Sequence, residues 1–250
     1  MGESRRVDST FFWLVVPGLA TGLGGLGLLI VRRPSDRLLD TLLGVTAGIM
    51  LAASVFSLLV PALDEGAVGE VVLGFLAGAG ALALLDTYLP HVHARLVERP
   101  PRREEHRAAL LLSSLTIHNL PEGLAVGVAF AAGGPELGIP IAIAIGIQNI
   151  PEGFAAAAPV LAAGAATRTA IGFAAATGLV EPPAALLGYG IAETMTALLP
   201  FALAFAAGAM VYVVVDEMVP ETHGRGNERE ATAGVVVGFA VMMLLDNALG

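Results

Sequence analysis

Six residues in the middle of an apolar run, His118-Asn119-Leu120-Pro121-Glu122-Gly123, combine an imidazole, an amide and a carboxylate. The pattern returns further on as Gln148-Asn149-Ile150-Pro151-Glu152-Gly153. On a helix, His118 and Glu122 are i and i+4 and share one face, as do Gln148 and Glu152. Pro121 cannot donate to the carbonyl of Ile117, nor Pro151 to that of Ile147, so each stretch also offers a freed carbonyl oxygen. Imidazole, amide, carboxylate and carbonyl groups held together coordinate divalent cations, with imidazole suited to transition metals. The bland alternative is a pair of proline-kinked helices whose polar residues bond one another. Recurrence of the pattern with both carboxylates kept argues against it.

The two motifs sit inside runs 108–131 and 138–163, each long enough to cross a bilayer. A carboxylate at the centre of such a run is costly and marks a functional site by default. Composition agrees with a membrane setting. The 250 residues are 56% hydrophobic and 14% charged, against about a quarter charged in soluble domains, and mean hydropathy is +0.78. No polar stretch is long enough for a second domain, so residues 1–250 read as one membrane domain. The net charge of −9 matters less than where the acids fall, because several lie inside apolar runs. With no cysteine, disulfides, thiolate metal sites and cysteine nucleophiles are excluded. Nothing basic or aromatic is patterned for nucleic acid. The run after Arg5 and Arg6 is too long for a signal-peptide core and reads as the first span.

Eight runs are expected to span: about 11–31, 38–63, 71–89, 108–131, 138–163, 169–192, 197–219 and 232–249. A longer loop, about 90–107, separates the third and fourth. Eleven of the 13 basic residues, all arginines, fall in the loops after spans one, three, five and seven. The positive-inside rule makes those loops cytoplasmic and both termini extracytoplasmic. Each motif then starts ten residues into its span, about 15 Å deep and near the midplane. Matched polar motifs at mid-depth on antiparallel helices are what an inverted repeat would place around a transport site. Glycine-rich stretches such as residues 22–27 suit close helix approach in lipid.

Glu181-Pro182-Pro183 puts a third carboxylate inside the sixth run, a natural partner for Glu122 and Glu152 or a protonated group bonded to a neighbouring helix. Met50, in the second run, is by itself more often packing than a ligand. Ser54, Ser57, Ser113, Ser114 and Thr116 could line a path, although hydroxyls usually bond their own helix backbone. Glu217, Glu221 and His223 end the seventh run as either an ion relay or a solvated helix end. The loop holds His91, His93 and His106 with Glu104 and Glu105, and His-x-His spacing can capture a metal. Asp86 and Asp246, near the ends of their spans, read as hydrated.

The paired Asn-x-Pro-Glu-Gly motifs resemble the signature of the ZIP (Zrt/Irt-like) divalent-metal transporters, prokaryotic type. The likeness covers the whole chain, including eight spans, the loop histidines, Glu181-Pro182 and the acidic end of span seven. It implies two adjacent metal positions between spans two, four, five and six. Carried over by position, His118, Glu122, Gln148, Glu152 and Met50 form one. Asn119, Glu122, Asn149, Glu152 and Glu181 form the other, with Glu122 and Glu152 bridging. Gln148 departs from the histidine of many members, and an amide is a harder, weaker ligand than imidazole.

The expected protein is therefore an all-α membrane protein in the cell membrane of a prokaryote, moving zinc, or iron, manganese or cadmium, towards the cytoplasm. The metal is cargo, no cofactor is implied, and the resemblance implies a homodimer. The rival is an intramembrane metal-dependent hydrolase using the same ligands. A zincin needs His-Glu-x-x-His, and a di-metal bundle needs Glu-x-x-His pairs; neither occurs.

Overall fold

A computed structural model describes residues 2–96 and 103–249, with side chains in 10–88 and 116–248. Every described element is helical. They are α1 (Gly2–Leu26), α2 (Asp36–Ala52), α3 (Val60–Glu65), α4 (Val68–Leu96), α5 (Arg103–Ala162), α6 (Thr167–Gly178), α7 (Glu181–Thr194), α8 (Leu199–Val213), α9 (Val219–His223) and α10 (Glu228–Leu249). Wide π-helical turns, Ala53–Leu59 and Val214–Met218, join α2 to α3 and α8 to α9 without breaking the rod. The side chains of the loop histidines, Glu104, Glu105, Ser113 and Ser114 lie outside those described. Helical backbone reaches Leu96 and resumes at Arg103, so it enters both ends of the expected 90–107 loop.

Seven stretches among the described residues are long and apolar enough to cross a membrane, which makes this a multi-pass helical membrane protein. Six correspond one to one with expected spans. The seventh, Thr116–Ala162, runs 47 residues and covers both motif-bearing spans. As a straight rod it would measure about 70 Å, more than twice the hydrocarbon thickness. It is not straight. Gly134 has φ 59° and ψ −146°, a backbone conformation open to glycine and strained for other residues. Gln148 then hydrogen-bonds Glu122, which a continuous helix would hold about 39 Å away. The stretch doubles back into two limbs, residues 116–133 and 135–162.

Small residues cement neighbouring helices. Gly44 and Gly48 of α2 lie against the backbone of Ala231 and Val235, while Gly74 and Gly78 of α4 lie against Phe201 and Phe205 of α8. Gly18 of α1 meets Gly178, and Gly24 meets Ile150. A side chain at any of these positions would collide with backbone, which is the packing lipid-embedded helices favour. Two groups result. α1, α6 and α7 pack around α5, and α2, α4, α8 and α10 pack with one another. The limbs of α5 also meet α2 and α8, so the motifs lie where the groups join.

Candidate metal centre

The second limb of α5 is locked to the first by an amide. Gln148 Nε2 donates to Glu122 Oε1 at 2.6 Å, and both residues are fully buried. One residue on, Asn149 Nδ2 donates to Glu181 Oε1 at 2.7 Å and to the Pro17 carbonyl of α1 at 2.9 Å. Thr21 Oγ1, also from α1, donates to the same Glu181 oxygen at 3.2 Å. Glu181 opens α7, with Pro182 and Pro183 in its first turn, so the carboxylate stands at the positive end of that helix.

These bonds spend the donors and leave acceptors. Glu122 Oε2, Gln148 Oε1, Asn149 Oδ1, Glu181 Oε2, both Glu152 oxygens and Asn119 Oδ1 are buried with no hydrogen-bond partner. The Asn119 amide nitrogen is the one donor among the unpartnered atoms of these residues. Glu152 lies within electrostatic reach of Glu122, Glu181 and His118. Buried polar atoms are ordinarily paired, and unsatisfied ones cost about 1–3 kcal/mol each. Apart from the Asn119 nitrogen, the unpartnered atoms of these residues are acceptor oxygens, the kind of atom that divalent cations take as ligands.

The expected residues are not all brought to one point. Among the described residues, no three histidine or acidic side chains converge closely enough to hold a metal by themselves. An amide holds each of two carboxylates instead, Gln148 on Glu122 and Asn149 on Glu181. His118 Nε2 is paired with Glu217 Oε2 of the π-helical turn after α8. Met50 is 1% exposed. The hydroxyl of Thr46, one turn before it on α2, reaches the Gln148 carbonyl at 3.3 Å, so Met50 lies on the helix face turned to the motif.

Of the acidic and histidine side chains that end the seventh run, Glu217 pairs with His118. Glu221 pairs with Arg225 at 2.6 Å, and His223 is engaged by the Val219 carbonyl, Thr222 and Thr232. Ser54 bonds the Met50 carbonyl of its own helix, whereas Ser57 donates to Asp246, which is thus engaged rather than merely hydrated. Sequence reasoning passed over Thr21, Pro17, Thr46 and Asp40. Asp40 is fully buried and held by Arg225 at 2.9 Å and Asn227 at 2.8 Å. The available signals were a hydroxyl between Gly18 and Gly22, and an acid inside a spanning run.

By class, this is a multi-spanning helical membrane protein with buried, unpartnered acceptor oxygens among its helices. Comparison with known proteins narrows that class. The family model for ZIP zinc transporters matches residues 97–246. The zinc transporter ZIPB of Bordetella bronchiseptica is 43% identical over 248 residues, covering 92% of this chain and 78% of the relative. The zinc transporter GufA of Myxococcus xanthus is 42% identical, covering 94% and 97%. The zinc transporter ZupT of Escherichia coli is 37% identical, covering 91% and 92%. The chain belongs to the ZIP zinc transporter family.

Proposed function

We propose that this protein carries zinc and related divalent cations across the cell membrane of a prokaryote towards the cytoplasm, through the cluster between the limbs of α5, α1, α2 and α7. The observation that carries this reading is the set of buried acceptor oxygens on Asn119, Glu122, Gln148, Asn149, Glu152 and Glu181. A dication with its own positive charge satisfies them together, as no single hydrogen-bond donor does. Glu122 and Glu152 bridge two ion positions. His118 and Met50 complete one, and Asn119, Asn149 and Glu181 the other. Glu217 then acts as the carboxylate partner that orients a ligating imidazole, leaving His118 Nδ1 for the ion.

Eight crossings are proposed, with both termini extracytoplasmic. The reversal at Gly134 supports counting α5 twice. Arg32, Arg33 and Arg225 line one cavity of about 770 Å³ together with Thr167, which supports placing those arginine-bearing loops on one, cytoplasmic, side. The same cavity reaches Ala155, one turn beyond Glu152, and so offers an exit path. A second copy in the membrane is proposed from the family resemblance and is checked by the mass of the purified protein in detergent.

Zinc uptake into proteoliposomes tests the reading. Uptake should be saturable in the native protein and near background in Glu122→Gln and Glu152→Gln variants that still insert. Native-like uptake by either variant would remove the bridging role.

A further inference from the structure

We propose that Thr21 of α1, which belongs to none of the expected ligand spans, is a positioning residue for Glu181 and sets the affinity of the ion position built on it. The inference rests on the reading of Glu181 as a metal ligand given above.

Three observations carry it. Thr21 is 1% exposed, and its hydroxyl donates to Glu181 Oε1, 160 positions away in sequence. A helical threonine would by default bond the carbonyl four residues back, here Pro17. That carbonyl instead accepts the amide of Asn149, at 2.9 Å. The Pro17 carbonyl therefore holds the amide while the Thr21 hydroxyl holds the carboxylate. Both bonds, with the one from Asn149 to Glu181, fall on Glu181 Oε1 or on Asn149 Nδ2, and the remaining atoms Glu181 Oε2 and Asn149 Oδ1 are buried and left unpartnered.

The second observation is steric. A Cβ at Gly178 would stand 2.7 Å from Thr21 Cβ and 2.8 Å from its hydroxyl, and one at Gly153 would strike the Thr21 carbonyl. Two glycines thus admit this one residue, and Gly153 closes the second motif. The third is a parallel. Gly123, which closes the first motif, lies against the backbone carbonyl of Glu181 in the same way. Thr21 stands to the second motif as Glu181 stands to the first. Where the first motif meets a residue that offers a carboxylate to the ion, the second meets one whose hydroxyl steadies that carboxylate.

A carboxylate anchored on one oxygen by two donors presents its other oxygen in a fixed direction. Removing a partner of this kind weakens metal binding by about 10- to 100-fold. The test is zinc titration of the full chain in detergent, with Thr21→Val, Thr21→Ser, Glu181→Gln and the Thr21→Val/Glu181→Gln pair, alongside thermal melts. Thr21→Val, similar in shape but without the hydroxyl, should weaken zinc binding by about 10-fold or more. Thr21→Ser should bind like the native protein, and Thr21→Val should add nothing once Glu181 is glutamine. Native-like affinity in Thr21→Val beside a weakened Glu181→Gln would overturn the role of Thr21 alone. So would equal damage from Ser and Val, or a Val effect that persists in the Glu181→Gln background. Failure of Thr21→Val to fold would assign the residue to the fold and overturn the proposal as well. A silent Glu181→Gln would instead overturn the ligand reading, and the role of Thr21 with it.

Discussion

Two buried polar groups in this molecule handle charge in opposite ways. At one end of the bundle, Asp40 of α2 is fully buried, yet Arg225 takes one of its oxygens and Asn227 the other. Arg225 also bonds Glu221, and Arg37 of the same helix pairs with Glu230 at the start of α10. Between the limbs of α5, Glu122, Glu152 and Glu181 are equally buried, but each keeps at least one oxygen without a donor. The first group is closed by the protein's own cations and amides and ties α2 to α9 and α10. The second keeps oxygens that no described donor reaches, and the proposed occupant is the transported ion. Burial alone does not separate a structural acid from a working one; the fate of its lone pairs does.

The comparison breaks most sharply at Asp40. Asp40→Ala should destabilise the protein by about 3 kcal/mol, the low end for a broken buried pair, because Arg225 keeps Glu221 and is 30% exposed. The protein that remains folded should still bind zinc with native affinity; melting in detergent and zinc titration measure the two effects. Lost zinc binding in that folded fraction would erase the distinction between the groups. Glu122→Gln and Glu152→Gln should do the reverse, lowering zinc affinity about 100-fold or more, equivalent to about 2.7 kcal/mol, while the apo protein melts much as before. A large fall in apo stability would make these carboxylates structural.

Ligand linkage sharpens the contrast without relying on transport. Zinc at 100 times its dissociation constant should stabilise the native protein by about 2.7 kcal/mol. The gain should persist in Asp40→Asn and disappear in Glu152→Gln at the same zinc concentration. A gain that survives in Glu152→Gln would place the bound ion elsewhere. The smallest effect is expected at Gln148. Gln148→His exchanges an amide for an imidazole, so zinc should compete against manganese better by about 10-fold or less, read from competition in uptake. An unchanged profile would put this position outside the selecting shell.

Much of this was legible in the residues. Proline and carboxylate inside apolar runs located the motifs, because both are costly in a membrane helix and neither persists there by accident of packing. Run length placed the spans. The doubling back of α5 followed from two spans with a short connection, although helical geometry continues up to and after Gly134, so the reversal occupies hardly more than one residue. Long-range side-chain partners were not legible. The bond from His118 to Glu217 spans 99 positions and that from Thr21 to Glu181 spans 160, and neither spacing leaves a local periodic trace. Asp40 was missed for a related reason. Its partner Arg225 reads as one more orienting loop arginine until the ends of α2 and α9 are brought together. The amide orientations of Gln148 and Asn149, which decide that oxygens rather than N–H groups are left over, also depend on partners met only in three dimensions.

The unpartnered oxygens between the limbs of α5 are proposed to hold the transported ion. Anomalous difference density at the zinc absorption edge, from crystals of the full chain grown with zinc, tests it most directly. Density is expected about 2.0–2.2 Å from oxygens of Glu122 and Glu152, the distance of zinc from a carboxylate ligand. A second position should lie against Glu181 and Asn149. Zinc density confined to Glu221 and His223 at the end of the bundle, with none between the limbs, would contradict it.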